Sequence, residues 1–118
     1  MYPVALFSVV CAGGIWAPVP FNLTSTEVAG HLNLIKPKVV FCSVNLLHSA
    51  REACEKINIP ASKIYVVSGT SHDIYNAETG KSLVGTSLLP WTRITDIDTL
   101  KSTTILLHFT SGTTGLPK

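Results

Sequence analysis

The sequence predicts an α/β fold, a mostly parallel sheet flanked by helices. Segments with helical spacing of apolar residues alternate with short apolar runs of strand length. Two of those runs, "KVVFCS" and "KIYVV", are apolar without interruption, as in strands that a parallel sheet buries on both faces. The chain is 46% hydrophobic and only 14% charged, apolar enough for a packed core and too apolar for a disordered chain. Helices alternating with strands imply right-handed crossovers. At 118 residues the chain is one domain or part of one. So low a charged fraction predicts apolar surface that further chain covers.

The elements follow in order. Pro3 suits a first helical position. "VALFSVVCAGG" then reads as a buried helix that stops at Gly13 or Gly14, where glycine accepts the left-handed conformation. "IWAPV" is a short buried strand closed by Pro18 and Pro20. Thr24 and Glu27 have capping-box spacing. The helix they open carries Val28, Leu32, Leu34 and Ile35 on an apolar side and ends before Pro37. After the strand "KVVFCS", Ser43 caps a helix over "NLLHSAREACEKI", whose Leu46, Leu47, Ala50, Ala53, Cys54 and Ile57 share one face. "KIYVV" is the next strand. Ser68 to about Leu100 is polar and glycine-rich, and is assigned to surface loops with one short helix. "TTILLHF" is the last strand, rich in branched side chains.

Several functional classes are excluded or disfavoured. The net charge is +2 with no basic run, so no nucleic-acid footprint is expected. The apolar stretch Val4 to Phe21 lacks a basic start and is broken by Gly13, Gly14, Pro18 and Pro20, so it is neither a signal peptide nor a transmembrane segment. Cys11, Cys42 and Cys54 have no C-x-x-C spacing and are expected as buried, reduced thiols of a cytoplasmic protein. His31, His48, His72 and His108 share no metal-ligand spacing with each other or with the cysteines, and no metal site is assigned. His72–Asp73 lacks a nucleophile, so a triad is unsupported. Trp16 and Trp91 are expected to pack in core and loop, and Asp96 and Asp98 to be solvated loop charges.

The strongest chemical signal is the closing run "TSGTTGLPK". Gly112 and Gly115 let the backbone bend and approach a ligand closely. Successive backbone N–H groups in such a turn form an anion nest. Thr110, Ser111, Thr113 and Thr114 add hydroxyl donors, and Lys118 adds a mobile positive charge. Pro117 restricts the backbone before the lysine. The set favours a polyphosphate. It is not a Walker A loop, because Leu116 and Pro117 separate Gly115 from the lysine. Its place after a strand is where open α/β sheets bind ligands.

"LLHFTSGTTGLPK" resembles the signature loop of the adenylate-forming superfamily of acyl-CoA synthetases, 4-coumarate–CoA ligases, luciferases and peptide-synthetase adenylation domains. The stretch "YPVALFSVVCAGGIWAPVPFNLTSTEVAGHLNLIKPKVVFCS" is similar to the same enzymes, so the resemblance covers nearly the whole chain, weakly between Ser68 and Leu100. It implies that residues 1–118 are an incomplete N-terminal AMP-binding domain, a partial subdomain of the adenylate-forming fold that ends at the phosphate-binding loop. It places Thr110, Ser111, Gly112, Thr113, Thr114, Gly115 and Lys118 on the nucleotide-contacting positions. It also implies ATP, Mg2+, a carboxylic acid substrate and CoA as thiol acceptor. The family's hinge and catalytic lysine lie downstream of such a loop, so no catalytic residue is assigned and the chain alone is expected to be inactive. The alternatives are a peptide-synthetase adenylation domain acting on an amino acid, and an inactive binding module on the same scaffold. The expected location is cytoplasmic, with a peroxisomal address left open.

Overall fold

A computed structural model describes residues 2–85 and 90–109. The chain divides into two compact units, Val19–Gly85 and a second in which Tyr2–Pro18 joins the segment beyond residue 85.

In the first unit, helix α2 (Ser25–Ile35) begins at a reciprocal capping box. The Thr24 N–H and Oγ1–H donate to Glu27 Oε2 at 2.8 and 2.7 Å, and the Glu27 N–H donates to Thr24 Oγ1 at 3.3 Å. These bonds occupy donors that a helix start leaves orphaned. Lys36 closes the helix in the left-handed conformation (φ 46°), its N–H on the Leu32 carbonyl, directly before Pro37. The buried residues are Ala29, His31 and Leu32. Leu34, expected on the apolar side, is 63% exposed. It lies two residues, or about 200° around the helix, from Leu32.

Strand β1 (Val40–Ser43) pairs in parallel with β2 (Ile64–Ser68), and helix α3 (Leu47–Lys56) connects them. Ser43 does not cap α3. It precedes a 3-10 turn, Val44–Leu46, and makes no capping hydrogen bond, so α3 starts later than the sequence suggests. α3 stops in a Schellman turn: Asn58 is left-handed (φ 59°), and the Asn58 and Ile59 N–H groups donate to the Glu55 and Cys54 carbonyls. α2 and α3 pack together, and Lys56 Nζ donates to Ser25 Oγ and Thr26 Oγ1 at 3.1 and 2.7 Å. The core joins Ala29 and Leu32 of α2, Ala50, Ala53 and Cys54 of α3, and Cys42, Ile64 and Val66 of the sheet. Small residues on α3 let the helices sit close to the strands.

The loop region holds a strand that the sequence reading lacks. β3 (Asp73–Asn76) runs antiparallel to β2, giving the sheet order β1-β2-β3. The sheet is therefore mixed. His72 enters the left-handed region (φ 50°) to close the β2–β3 turn, and Ser68 Oγ accepts the Ser71 N–H. Asn76 organises the next turn, its Oδ1 accepting from the Glu78 and Thr79 N–H groups while its Nδ2 donates to the Ser62 carbonyl.

In the second unit, helix α1 (Tyr2–Cys11) ends at the predicted glycines. Gly13 is left-handed (φ 75°), and the Gly13 and Gly14 N–H groups donate to the Val10 and Val9 carbonyls, a Schellman stop. A Cβ on Gly14 would lie 2.8 Å from Val9 Cγ1 and 3.0 Å from the Val9 carbonyl oxygen, so the turn has no room for a side chain there. Trp16 then pairs in parallel with Leu106, and this single bridge is what the predicted strands "IWAPV" and "TTILLHF" amount to among the described residues. The expected short helix is α4 (Ile97–Ser102), capped by Asp96, whose Oδ2 accepts the Thr99 N–H and hydroxyl. α1 buries only Ala5, and Phe7, Ile105, Leu106 and Leu107 stand at the surface. Among the described residues no helix is long and apolar enough to cross a membrane.

Candidate functional site

The predicted phosphate segment, Thr110, Ser111, Gly112, Thr113, Thr114, Gly115 and Lys118, lies outside the described residues. What is described is the chain that leads into it. The Trp16 N–H donates to the Ile105 carbonyl, and the Leu107 N–H donates to the Trp16 carbonyl, both at 2.9 Å. Residues 105–107 are thereby held in extended register beside Trp16, three residues before Thr110. Trp16 is buried at 9% exposure. Its Nε1–H donates to the Tyr2 hydroxyl at 3.1 Å, and the two rings meet edge to face, 5.3 Å apart at 88°. His108 is exposed, and its Nδ1 lies 2.9 Å from the Phe109 carbonyl oxygen, a local contact within the approach to the segment.

Elsewhere the titratable groups serve the fold. His31 is buried with Nδ1 2.9 Å from the Glu27 carbonyl, one turn back on α2. His48 lies on the surface of α3 beside Glu52, 3.3 Å away. Thr24's hydrogen bonds, first the hydroxyl and then the backbone, hold the Glu27 carboxyl below the usual glutamate range. Thr99 does the same for Asp96. Burial, followed by the nearby Cys54, pushes the Cys42 thiol up to about 11, against a smaller opposing pull from Arg51. Burial also raises Cys54. Cys11, expected to be buried, is exposed on α1. Trp91, expected to pack, is exposed as well. Among the described residues no group of three His, Cys, Asp or Glu side chains converges as a metal site would require.

One open depression, lined by Ser25, Glu52, Glu55 and Lys56, lies in the first unit. Its lysine already donates to two α2 hydroxyls and its two carboxylates repel anions, so it is no candidate for a nucleotide.

An α/β chain with a small mixed sheet, whose last described segment runs into a glycine-, hydroxyl- and lysine-bearing stretch, is consistent with part of an adenylate-forming domain. The AMP-binding enzyme family matches residues 1–118, the whole chain, and the chain belongs to that family. It is 33% identical over 121 residues to an Emericella nidulans protein that carries the name of an acyl-coenzyme A synthetase, covering 100% of this chain and 22% of that one. It is 30% identical to the phenylacetyl-CoA ligase epaB of Aspergillus niger over 99% of this chain and 22% of the relative. It is 25% identical to the nicotinic acid-CoA ligase olcI of Penicillium canescens over 100% of this chain and 26% of the relative. The chain thus spans about a fifth to a quarter of the length of these relatives. No solved structure matches it.

Proposed function

We propose that this chain provides the triphosphate-binding segment of an acid–thiol ligase of the acyl-CoA synthetase type. The observation that carries this is the run Thr110–Lys118 following directly on the segment that pairs with Trp16. In this reading Thr110, Ser111, Thr113 and Thr114 donate hydroxyl hydrogens to the β- and γ-phosphates of ATP. Gly112 and Gly115 bring backbone N–H groups close to them, and Lys118 neutralises charge. A carboxylate oxygen of the substrate attacks the α-phosphorus. The bond from that phosphorus to the bridging oxygen breaks, and pyrophosphate leaves with the electron pair. Donors fixed around the departing group stabilise the charge that builds there. The thiol of CoA then attacks the acyl carbon and AMP departs. The segment 110–118 has no carboxylate, so Mg2+ would reach it on the triphosphate, where it shares the phosphate charge. The CoA-ligase names of the relatives support CoA rather than a carrier protein as acceptor.

The test is binding of MgATP by the 118-residue chain, read as a rise in melting temperature and by calorimetry. At ten times the dissociation constant, ligand linkage contributes about 1.4 kcal/mol, a rise of a few degrees. Lys118→Ala is expected to abolish the rise. A Lys118→Ala variant that responds to MgATP like the parent refutes the assignment of this segment to phosphate, whereas a parent chain indifferent to MgATP shows that these 118 residues are not a working site by themselves.

A further inference from the structure

We propose that Thr95 is a phosphorylation site for an acid-directed serine/threonine protein kinase, independently of the ATP assignment above. Such a kinase reads a carboxylate placed shortly after the acceptor hydroxyl through a basic pocket of its own. In this chain a hydroxyl residue stands three positions before a carboxylate at Thr24–Glu27, Ser49–Glu52, Thr70–Asp73 and Thr95–Asp98. Spacing does not choose among the four. The fold does, because a kinase takes its substrate as an exposed, extended strand.

The first three are tied into structure. The Thr24 hydroxyl donates to Glu27 Oε2 at 2.7 Å and accepts the Glu27 N–H at 3.3 Å, so acceptor and carboxylate are spent on each other and on the start of α2. Ser49 lies within α3, which buries Ala50, Ala53 and Cys54 and would have to unwind out of the core. Thr70 sits in the β2–β3 turn, flanked by the paired residues Ser68 and Asp73, and its hydroxyl lies 3.3 Å from Ser68 Oγ. Extending that turn would break the sheet.

Thr95 differs at each point. Residues 90–96 are exposed and form neither helix nor strand, and Asp96 is extended (φ −70°, ψ 123°). The Asp98 side chain is 94% exposed, in a 4.0 Å ion pair with Lys101 that solvent weakens. Asp98 lies in α4, so a kinase that holds residues 95–98 extended must open the first turn of that helix. α4 is six residues long and buries none of them, so its opening costs little. Asp96, directly after the acceptor, adds a second carboxylate for the kinase to read. In the transfer the Thr95 Oγ attacks the γ-phosphorus of the kinase's ATP, the hydroxyl proton passes to a base of the kinase, and ADP leaves with the electrons of the broken P–O bond. The phosphate brings about two negative charges, enough to cancel the formal net charge of +2.

The full chain is incubated with an acid-directed kinase and MgATP, and the phosphate is located by fragmentation mass spectrometry. Phosphate is expected on Thr95 and is lost in Thr95→Val. Asp98→Asn is expected to slow the transfer about tenfold, the loss of one charge-assisted hydrogen bond to the kinase. A synthetic peptide of residues 20–30 is expected to accept phosphate at Thr24, while Thr24 of the folded chain stays unmodified. The proposal is overturned by a chain without phosphate on Thr95, or by Thr24, Ser49 or Thr70 labelled at the Thr95 rate in the folded chain. An Asp98→Asn variant labelled at the parental rate, an unmodified peptide, or a kinase directed by basic residues that labels Thr95 as fast also overturns it. MgATP binding by the chain itself enters none of these outcomes, so the two readings fail separately.

Discussion

Leu32 and Leu34 lie two residues apart on α2, and by sequence both belong to its apolar side. The structure separates them, Leu32 at 4% exposure and Leu34 at 63%. Leu32→Ala removes the equivalent of three buried methylenes at about 0.8 kcal/mol each, roughly 2.4 kcal/mol of transfer free energy. Ala29, Ala53 and Cys54, its companions in the core, are too small to fill the space, so a cavity of some tens of Å3 persists. At about 24 cal/mol per Å3 that adds roughly 1 kcal/mol. The expected loss is about 3–4 kcal/mol. Leu34→Ala removes mostly hydrated surface and gains slightly in helix propensity, so its effect stays within about 0.5 kcal/mol. Urea unfolding followed by far-ultraviolet circular dichroism reads the pair. Tryptophan fluorescence is unsuitable, because Trp16 and Trp91 both belong to the second unit. With an m-value of about 1–3 kcal/mol/M, Leu32→Ala is expected to lower the midpoint by about 1–3 M at unchanged m, and Leu34→Ala by less than about 0.5 M. Equal losses, or a larger loss at Leu34, would refute this account of how α2 is seated.

Two further predictions concern titration. At pH 8 a thiol with a pKa of about 11 is roughly one part in a thousand thiolate, so iodoacetamide is expected to modify exposed Cys11 first and Cys42 slowly, with raised Cys54 also lagging. Peptide mapping that finds Cys42 labelled as fast as Cys11 in the folded chain contradicts the burial described for it. Glu27 has a depressed folded-state pKa, so its contribution is complete above the ordinary glutamate value of about 4.3 and fades as pH falls through the lower folded value. Glu27→Gln is expected to flatten the acid side of the stability profile below that value, and an unchanged slope would dissociate the carboxylate from the capping box.

Much of the fold was legible because each local signal had a physical cause with no competitor. The double glycine after α1, the Thr24–Glu27 spacing and Pro37 mark real stops and starts. β1 and β2 were visible as unbroken apolar runs. β3 was not, because "DIYN" has only two apolar residues, and its register is supplied by β2 through the turn at His72. Ser43 misled because a hydroxyl at a strand end caps a helix only when the following residues turn at once into α geometry, and here a 3-10 turn intervenes. Periodicity also misjudged Leu34, since a helix packed against one neighbour buries a narrower stripe than its apolar residues outline. At the candidate site, glycines, hydroxyls and lysine are the sequence's grounds for a polyphosphate reading, and those residues lie outside the described ones. Sequence reading assigned Trp16 to the core but gave no sign of its partner Tyr2, because the two are fourteen residues apart and meet only through the turn between them.

The Trp16–Leu106 bridge joins positions separated by 106 − 16 = 90 residues. During synthesis α1 precedes Val19–Gly85, and the segment that pairs with Trp16 emerges only after all of that unit has been made. Val19–Gly85 can condense before Trp16 has its strand partner. Order of synthesis and order of pairing therefore differ here: Trp16 is translated before Val19–Gly85 and its partner Leu106 after it.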